Sequence, residues 1–457
     1  MSAINTVVGV RNNRTLLGLN GFRFLYLTVL LLYGHAIGYR LLTYYKPGSG
    51  KYLTAIIALI LLATLFITFF QVLIRMKIAG GSPMLFLTMY TLFGAFSIIN
   101  MYLYFGTIDI AQFATGFYKS ILPVTFAFLA YSAVRNLNQA FKLFRTFALI
   151  NGFLATIGLI TYLFGESWAR FYLQLPQVEK LPLHFGGVLR MTSILWNPLV
   201  FGVLMALNSI LAWNAILNAK GARFFWIAIF FVSFVGTFAS FTRTSWIMVV
   251  VGIATSLVLL RRRVLRRALT IAVAMIGVFF VVLATPLPRG HYESMSEAIL
   301  GHIVATFEHE NPRVENLKVN LFRIAENPIG YGLGTAGYAA LPTRGVESPV
   351  VFPDYIAADN NYLSMALQMG IPGLMFFVLS QITALRKIVP HWKRATDVKE
   401  KMILGTVVGW IVGMTVGTLF LNIWEYNLIP HLVFALLGAS LKLRTLSVRS
   451  EQHARLG

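Results

Sequence analysis

The stretch TSWIMVVVGIATSLVLLRRRVLRR, residues 244–267, decides the fold class of this chain. Its first part, residues 244–260, carries no charged side chain and is long enough to cross the ~30 Å hydrocarbon core of a membrane as a helix. Its second part is rich in arginine, which membrane proteins retain on the cytoplasmic side. The stretch therefore indicates a membrane-spanning helix that ends in the cytoplasm.

Similar apolar stretches recur along the whole chain. Of its 457 residues, 57% are hydrophobic and only 12% are charged, a composition that excludes a soluble domain of this size. We predict an all-α polytopic membrane protein with about 12 transmembrane helices. The predicted spans are 21–41, 52–74, 83–104, 112–134, 146–165, 195–216, 222–241, 244–260, 268–286, 361–384, 402–422 and 426–442.

The net charge of +22 could indicate a nucleic-acid partner, so the positions of the charges must decide. With a cytoplasmic N-terminus and alternating sides, the cytoplasmic segments hold the entire positive excess. Their acidic residues are Asp397, Glu400 and Glu451. This distribution follows the positive-inside rule and explains the charge without nucleic acid. It also predicts that both termini are cytoplasmic.

Two predicted external loops are long enough to carry function. The larger one should be partly helical, with a first helix capped by Ser294 or Ser296 and ending at Asn311. Long loops in compact proteins are usually functional, so we expect any reaction on the external side. The predicted parts are a bundle of nine spans over 1–286 with a short loop at about 166–194, a large loop over 287–360, and three spans with a cytoplasmic tail over 361–457.

The large loop contains the glycine-rich segment GYGLGTAG, residues 330–337, which includes the pattern G-x-G-x-x-G. A dinucleotide site needs a β-strand before this pattern. The preceding residues 313–326 instead place apolar side chains at helical spacing, so the glycines follow a helix. Two interpretations stay open: a tight turn that closes this helix next to the membrane, or a bare backbone that lets a large substrate come close.

Four motifs in order resemble the O-antigen polymerase and O-antigen ligase superfamily, over about residues 185–375. Each is weak alone, but their order, with a large external loop before the last one, is more specific. The motifs are Gly187-x-x-Arg190 with Asn197-Pro198, then Ser240-Phe241-Thr242-Arg243, then Asn327-Pro328-x-Gly330-x-Gly332-x-Gly334, and finally Asp359-Asn360-x-Tyr362-Leu363 with Gly370-x-x-Gly373.

The resemblance implies a glycosyltransferase of the bacterial inner membrane with a periplasmic loop. Its substrates would be a polyprenyl-pyrophosphate-linked glycan donor and acceptor. Membrane lipids would surround it, and a chain-length regulator could be a further partner. No cofactor, nucleotide or metal is implied. Ligases of the superfamily carry histidine where this chain has Asp359, which favours a polymerase. A ligase acting on lipid A core or protein is the alternative, and a secondary transporter is less favoured because charge within the spans is sparse.

Arginines are the expected partners of the departing pyrophosphate. Their planar guanidinium binds phosphate oxygens in pairs and keeps its charge in a poor dielectric. Arg243, at the external end of a predicted span, is the first candidate, with an ion pair to a loop carboxylate as the alternative. Arg190 is the second. Arg313 and Arg323 lie on one amphipathic helix, so each could face the cavity or water.

Lys119, within the fourth predicted span, is a further basic candidate. It could pair with an acidic loop residue, extend towards the membrane surface, or contact the donor's phosphates. A metal site is not expected, because the adjacent residues Glu308, His309 and Glu310 point in different directions on a helix and the other histidines lack ligand spacing.

A carboxylate would take the proton of the attacking acceptor hydroxyl. Asp359 is the candidate base, and an N-cap of the tenth span is an equally natural role for it. Asn360 and Asn361 would supply secondary polar contacts to the substrate. Glu347 and Asp354 are substitutes for the base.

Overall fold

A computed structural model gives the architecture of most of the chain. It describes residues 21–45, 81–173, 184–185, 188–195, 197–219, 221–259, 312–337, 340, 360–426 and 428–456. A small antiparallel hairpin of strands β1 (His184–Phe185) and β2 (Val188–Leu189) accompanies the helices. The α-helices described are α1 Gly21–Tyr45, α2 Ser82–Phe105, α3 Ile110–Ser120, α4 Thr125–Ala133, α5 Leu137–Leu173, α6 Pro198–Asn218, α7 Arg223–Ala239, α8 Arg243–Val258, α9 Pro312–Glu326, α10 Asn361–Arg394, α11 Val398–Gly417 and α12 Ile429–Leu456.

The helices confirm the prediction of an α-helical multi-pass membrane protein, apart from the small hairpin. Seven candidate spans occur among the described residues: Ser82–Phe105, Ile110–Ala133, Leu137–Phe164, Pro198–Asn218, Asn361–Arg394, Val398–Gly417 and Ile429–Val448. α7 and α8 are apolar too, but shorter. The count of twelve stays a prediction, because predicted spans 52–74 and 268–286 lie outside the described residues.

The core is centred on α6, which is buried along almost its whole length. Close approach of small residues brings helices together here, as is usual in membranes. A side chain at Gly252 of α8 would collide with Ile210 of α6, and Gly409 of α11 meets the same isoleucine. The indole N–H of Trp410 donates to the carbonyl of Leu207 at 2.7 Å, which ties α11 to α6.

Helix α10 is broken near its beginning. Gly370 has φ 70° and ψ 179°, which is not helical, and the following Pro372 has no N–H to donate. The carbonyls of Leu367 and Gln368 therefore lose their helical partners. They accept instead from the backbone N–H groups of Tyr331 (2.7 Å) and Gly332 (2.9 Å), so the glycine-rich segment pairs with the break in α10.

The ends of several helices meet at one side of the bundle. The N–H of Asn361, which begins α10, donates to the carbonyl of Thr418 just after α11 at 3.2 Å. Gln112, in the first turn of α3, donates to the carbonyl of Gly334. We refer to this side as the outer end, because the charge distribution predicts that it is external. The candidate site lies here.

Candidate functional site

Arg190 holds the turn between α7 and α8. It follows strand β2, and its Nε donates to the carbonyl of Ser240 at 2.9 Å. Its Nη2 donates to Thr242 Oγ1 at 3.2 Å and to the carbonyl of Phe241 at 3.4 Å. The turn is followed by Arg243, the first residue of α8, which is half-buried. The two arginines that the sequence predicts thus belong to one corner of the outer end.

This corner contains strained backbone. Within the described part of the chain, the non-glycine residues with positive φ are Ser193 (52°), Ala222 (52°) and Phe241 (49°). Phe241 is one of the residues that Arg190 contacts, and Ser193 follows Arg190 by three residues. Such conformations cost on the order of 1–3 kcal/mol each. The hydrogen bonds from Arg190 offset part of that cost and fix the turn before Arg243.

The charge of Arg190 persists in this partly buried position. Burial lowers the pKa of its guanidinium to about 10, and the nearby Tyr426 acts in the opposite direction. The side chain is therefore protonated at neutral pH. A charge kept in a poorly solvated place interacts strongly with an anion that approaches it.

The glycine-rich turn is buried within the bundle. Gly330, Gly332, Gly334 and Gly337 all have positive φ, between 69° and 107°. A Cβ at Gly334 would lie 2.2 Å from the carbonyl oxygen of Gln112, and one at Gly332 would lie 2.7 Å from the Cβ of Met101. The bare backbone thus approaches helices α3 and α2, which supports the interpretation as a structural turn. The turn follows helix α9, as the sequence predicts.

A buried hydrogen-bond network continues from this turn to Glu425, in a 3₁₀ turn between α11 and α12. Glu425 is 1% exposed. It accepts from Ser364 Oγ, and from Gln368 Nε2 at 3.2 Å. The other amide atom of Gln368, Oε1, accepts from the N–H of Gly334 at 2.8 Å, so one chain of bonds joins α3, the glycine turn, α10 and Glu425.

Sequence reasoning missed Glu425. Lys119 lies close enough to interact electrostatically with Glu425. This supports the alternative in which Lys119 pairs with an acidic residue of a loop. A signal was present: Glu425 is the sole charged residue of the apolar segment TLFLNIWEYNL, residues 418–428. A carboxylate in such surroundings is costly unless it is paired.

The two asparagines of the last motif connect the start of α10 to neighbouring backbone. Asn360 is the N-cap of α10, and its Oδ1 accepts from the N–H of Tyr362 at 2.8 Å. The Oδ1 of Asn361 accepts from the N–H of Trp424 at 2.7 Å. Contacts of Asn360 and Asn361 to the substrate stay a prediction.

The candidate bases lie outside the described residues. Asp359 directly precedes the N-cap, so the capping role that the sequence also offered for it belongs to Asn360. Glu347 and Asp354 are likewise not described. The choice among the three carboxylates stays a prediction.

Of the two arginines on α9, Arg323 is buried, with 8% of its surface exposed. Its carbonyl accepts from the hydroxyl of Tyr331 at 2.8 Å. Burial raises the pKa of that hydroxyl to about 12. Arg313 lies in the first turn of α9, where the structure describes the backbone only. Arg323 therefore does not face water, and its contact with the substrate stays a prediction.

Metal ligands do not cluster in the part of the chain that the structure describes. Residues 308–310 lie outside that part. A site without a metal stays a prediction.

Comparison with known families concerns the same region. Residues 228–378 match the family described as O-Antigen ligase. The match includes most of α7, all of α8 and α9, the glycine turn and the broken start of α10, with Arg243 and Arg323. It includes neither Arg190 nor Glu425. No curated protein matches the chain. The match confirms the resemblance of this region to the superfamily of O-antigen polymerases and ligases.

Proposed function

We propose that this protein polymerises polyprenyl-pyrophosphate-linked oligosaccharide repeat units into O-antigen or a related surface polysaccharide. The reaction takes place on the periplasmic face of the bacterial inner membrane and uses neither metal nor nucleotide. The superfamily supports a polymerase or a ligase. The choice of a polymerase and the roles of its residues depend on the chemistry of the outer end.

The observation that carries the proposal is the corner in which Arg190 binds residues 240–242, directly before Arg243. Transfer of the glycan leaves two negative phosphates, and preorganised cations stabilise such charge as it develops. Arg190 donates three hydrogen bonds to the turn, so we assign it two roles: it positions the turn, and its charge contributes to the positive potential of the corner. We assign Arg243 the contact to the departing pyrophosphate.

The acceptor hydroxyl attacks the anomeric carbon of the donor glycan. A new glycosidic C–O bond forms while the C–O bond to the pyrophosphate breaks, and the electron pair leaves with the pyrophosphate. Asp359 takes the hydroxyl proton. It precedes Asn360, whose side chain caps α10 at the outer end. Direct displacement inverts the anomeric configuration.

Asp359 also favours polymerisation over ligation, since ligases of the superfamily carry histidine at this motif position. The second candidate function is transfer of the finished glycan to lipid A core or to a protein. It is favoured by the description of the matched family, O-Antigen ligase.

The test uses purified protein and a lipid-linked repeat unit as the sole substrate. A ladder of longer lipid-linked glycans is expected. Transfer that takes place only after lipid A core is added would identify a ligase. Absence of both products, with folded protein and authentic substrate, overturns the proposal.

A further inference from the structure

Residues 418–426, which follow α11, interact with two parts of the outer end. They include the buried Glu425, whose carboxylate accepts hydrogen bonds from side chains of α10. The next residue, Tyr426, lies close enough to Arg190 to interact electrostatically with its guanidinium. We call residues 418–426 the bridging segment, because two adjacent residues in it interact with the start of α10 and with the corner at Arg190.

Polar residues on one side of α10 face the bridging segment. Asn361, Ser364 and Gln368 follow one another at helical spacing, so they share this side of the helix. The N–H of Asn361 donates to the carbonyl of Thr418 at 3.2 Å, and its Oδ1 accepts from the N–H of Trp424 at 2.7 Å. The beginning of α10 is therefore bound to the bridging segment through backbone and side-chain groups.

The carboxylate of Glu425 completes this attachment. Its Oε1 accepts from Ser364 Oγ, and from Gln368 Nε2 at 3.2 Å. A Cβ at Gly337 would lie 2.5 Å from Oε1 and 2.8 Å from Oε2, so the glycine turn packs directly against the carboxylate, and Lys119 is close enough to interact with its charge. Hydrogen bonds to an ionised acceptor are about twice as strong as neutral ones. A neutral side chain of the same shape would therefore hold α10 less firmly.

We propose that Glu425 is a positioning residue for the reaction. It fixes the first two turns of α10, and these turns set the place of Asn360 and of the preceding Asp359, the proposed base. The same bridging segment reaches the corner at Arg190 through its next residue, so it sets the α10 start relative to that corner. In this role Glu425 contacts neither substrate nor reacting atoms. The role rests on the proposed function, and it adds a residue outside the four motifs and outside the matched region 228–378.

The first variant is Glu425→Gln, which keeps the size of the side chain and removes its charge. We expect kcat for ladder formation to fall about 10–100-fold, because small misplacements of reacting groups are costly. The KM for the lipid-linked repeat unit should stay within about twofold, since the ground-state contacts to substrate are kept. The fall of kcat at low pH, which protonation of the base Asp359 produces, should remain.

A matched pair of serines separates positioning from stability. Ser364→Ala removes a buried hydroxyl that donates to Glu425 and accepts from Gln368. Ser256, near the other end of α8, is buried too, and its hydroxyl accepts from Asn214 Nδ2 at 3.2 Å and donates to a carbonyl of its own helix at 3.3 Å. Both alanine variants should lower the thermal unfolding midpoint, because each loses buried hydrogen bonds. Only Ser364→Ala should also lower kcat, by about three- to tenfold.

Two results would overturn the positioning role while the proposed function stands. The first is a wild-type kcat in both Glu425→Gln and Ser364→Ala. The second is loss of the low-pH fall in Glu425→Gln, which would make Glu425 itself the base. If Glu425→Gln does not accumulate as folded protein, Ser364→Ala decides alone, since it leaves the carboxylate in place.

If the wild type forms no ladder, the proposed function fails, and the attachment of α10 is measured directly. The measurement is hydrogen–deuterium exchange of residues 361–368 in the purified protein. Faster exchange in Glu425→Gln and Ser364→Ala than in Ser256→Ala supports the hold of Glu425 on the start of α10. Equal exchange in the three variants overturns it.

Discussion

Two regions of the outer end interrupt their helices in different ways. In the corner formed by residues 190 and 240–243, an arginine holds a strained turn, and a second, half-buried arginine begins the next helix. In the glycine turn, the N–H groups of Tyr331 and Gly332 donate to the carbonyls of Leu367 and Gln368 that the break in α10 leaves without helical partners. The first region presents positive charge, whereas the second satisfies its polar groups internally.

Because one region presents charge and the other pairs its polar groups internally, we expect the two regions to have different roles. Irregular backbone at membrane depth is tolerated where protein buries it or where it lines a polar space. The glycine turn is of the first kind, because Gln368 and Gln112 complete its hydrogen bonds and Glu425 accepts from Gln368 in turn. The arginine corner is suited to the second kind. Substitutions in the turn should therefore damage stability, and substitutions in the corner should damage turnover.

The largest effect is expected for Gly334→Ala. Its Cβ would lie 2.2 Å from the carbonyl oxygen of Gln112, and its φ is +87°. We expect a loss of more than about 4 kcal/mol in unfolding free energy, seen as failure to accumulate folded protein in detergent.

Gly106→Ala is the control for this prediction. Gly106 also has a positive φ, +68°, but nothing lies within 4 Å of its Cβ position. Gly106→Ala should therefore lower the unfolding free energy only by the backbone strain, about 1–2 kcal/mol. Equal melting temperatures for the two variants would contradict the close approach of the turn to α3.

A smaller effect, on turnover alone, is expected for Arg243→Ala. Loss of one preorganised group that stabilises transition-state charge costs about 10²–10³-fold in kcat. The measurement is the rate of ladder formation at saturating lipid-linked substrate. Arg223→Ala is the matched control, because Arg223 also begins a helix but is exposed at the opposite end of α7. Equal rates for both variants would remove Arg243 from the site.

Much of the fold and part of the candidate site could be predicted from the sequence. Runs of apolar residues located the seven candidate spans found among the described residues, because a membrane helix needs little more than length and hydropathy. The spacing of residues 313–326 located α9 and showed that the glycines follow a helix. The motifs also selected Arg190 and Arg243, which the structure brings to one corner.

Other features depend on contacts that no local pattern encodes. Gln112, Gly334, Gln368 and Glu425 are far apart in the chain, so their network could not be inferred from spacing. The orientation of α9 was also hidden. Helical periodicity shows that one side is apolar, but the same pattern fits a side that faces a core and one that faces lipid.

The smallest expected effect belongs to Arg190→Lys, and it tests the division of labour within the corner. Lysine keeps a positive charge but lacks the planar fork that reaches Ser240 and Thr242 together. We expect kcat/KM to fall about tenfold, because the turn before Arg243 is held less firmly. The thermal unfolding midpoint should fall with it, since hydrogen bonds of about 1 kcal/mol each are lost.

The reason for expecting both changes is that Arg190 acts through the turn. A group that contacted only the pyrophosphate would lose turnover without losing stability. If Arg190→Lys keeps the wild-type melting temperature and loses as much activity as Arg243→Ala, then Arg190 binds the phosphate directly. The two arginines would in that case form one clamp, and the strained turn at Phe241 would be held by its own packing.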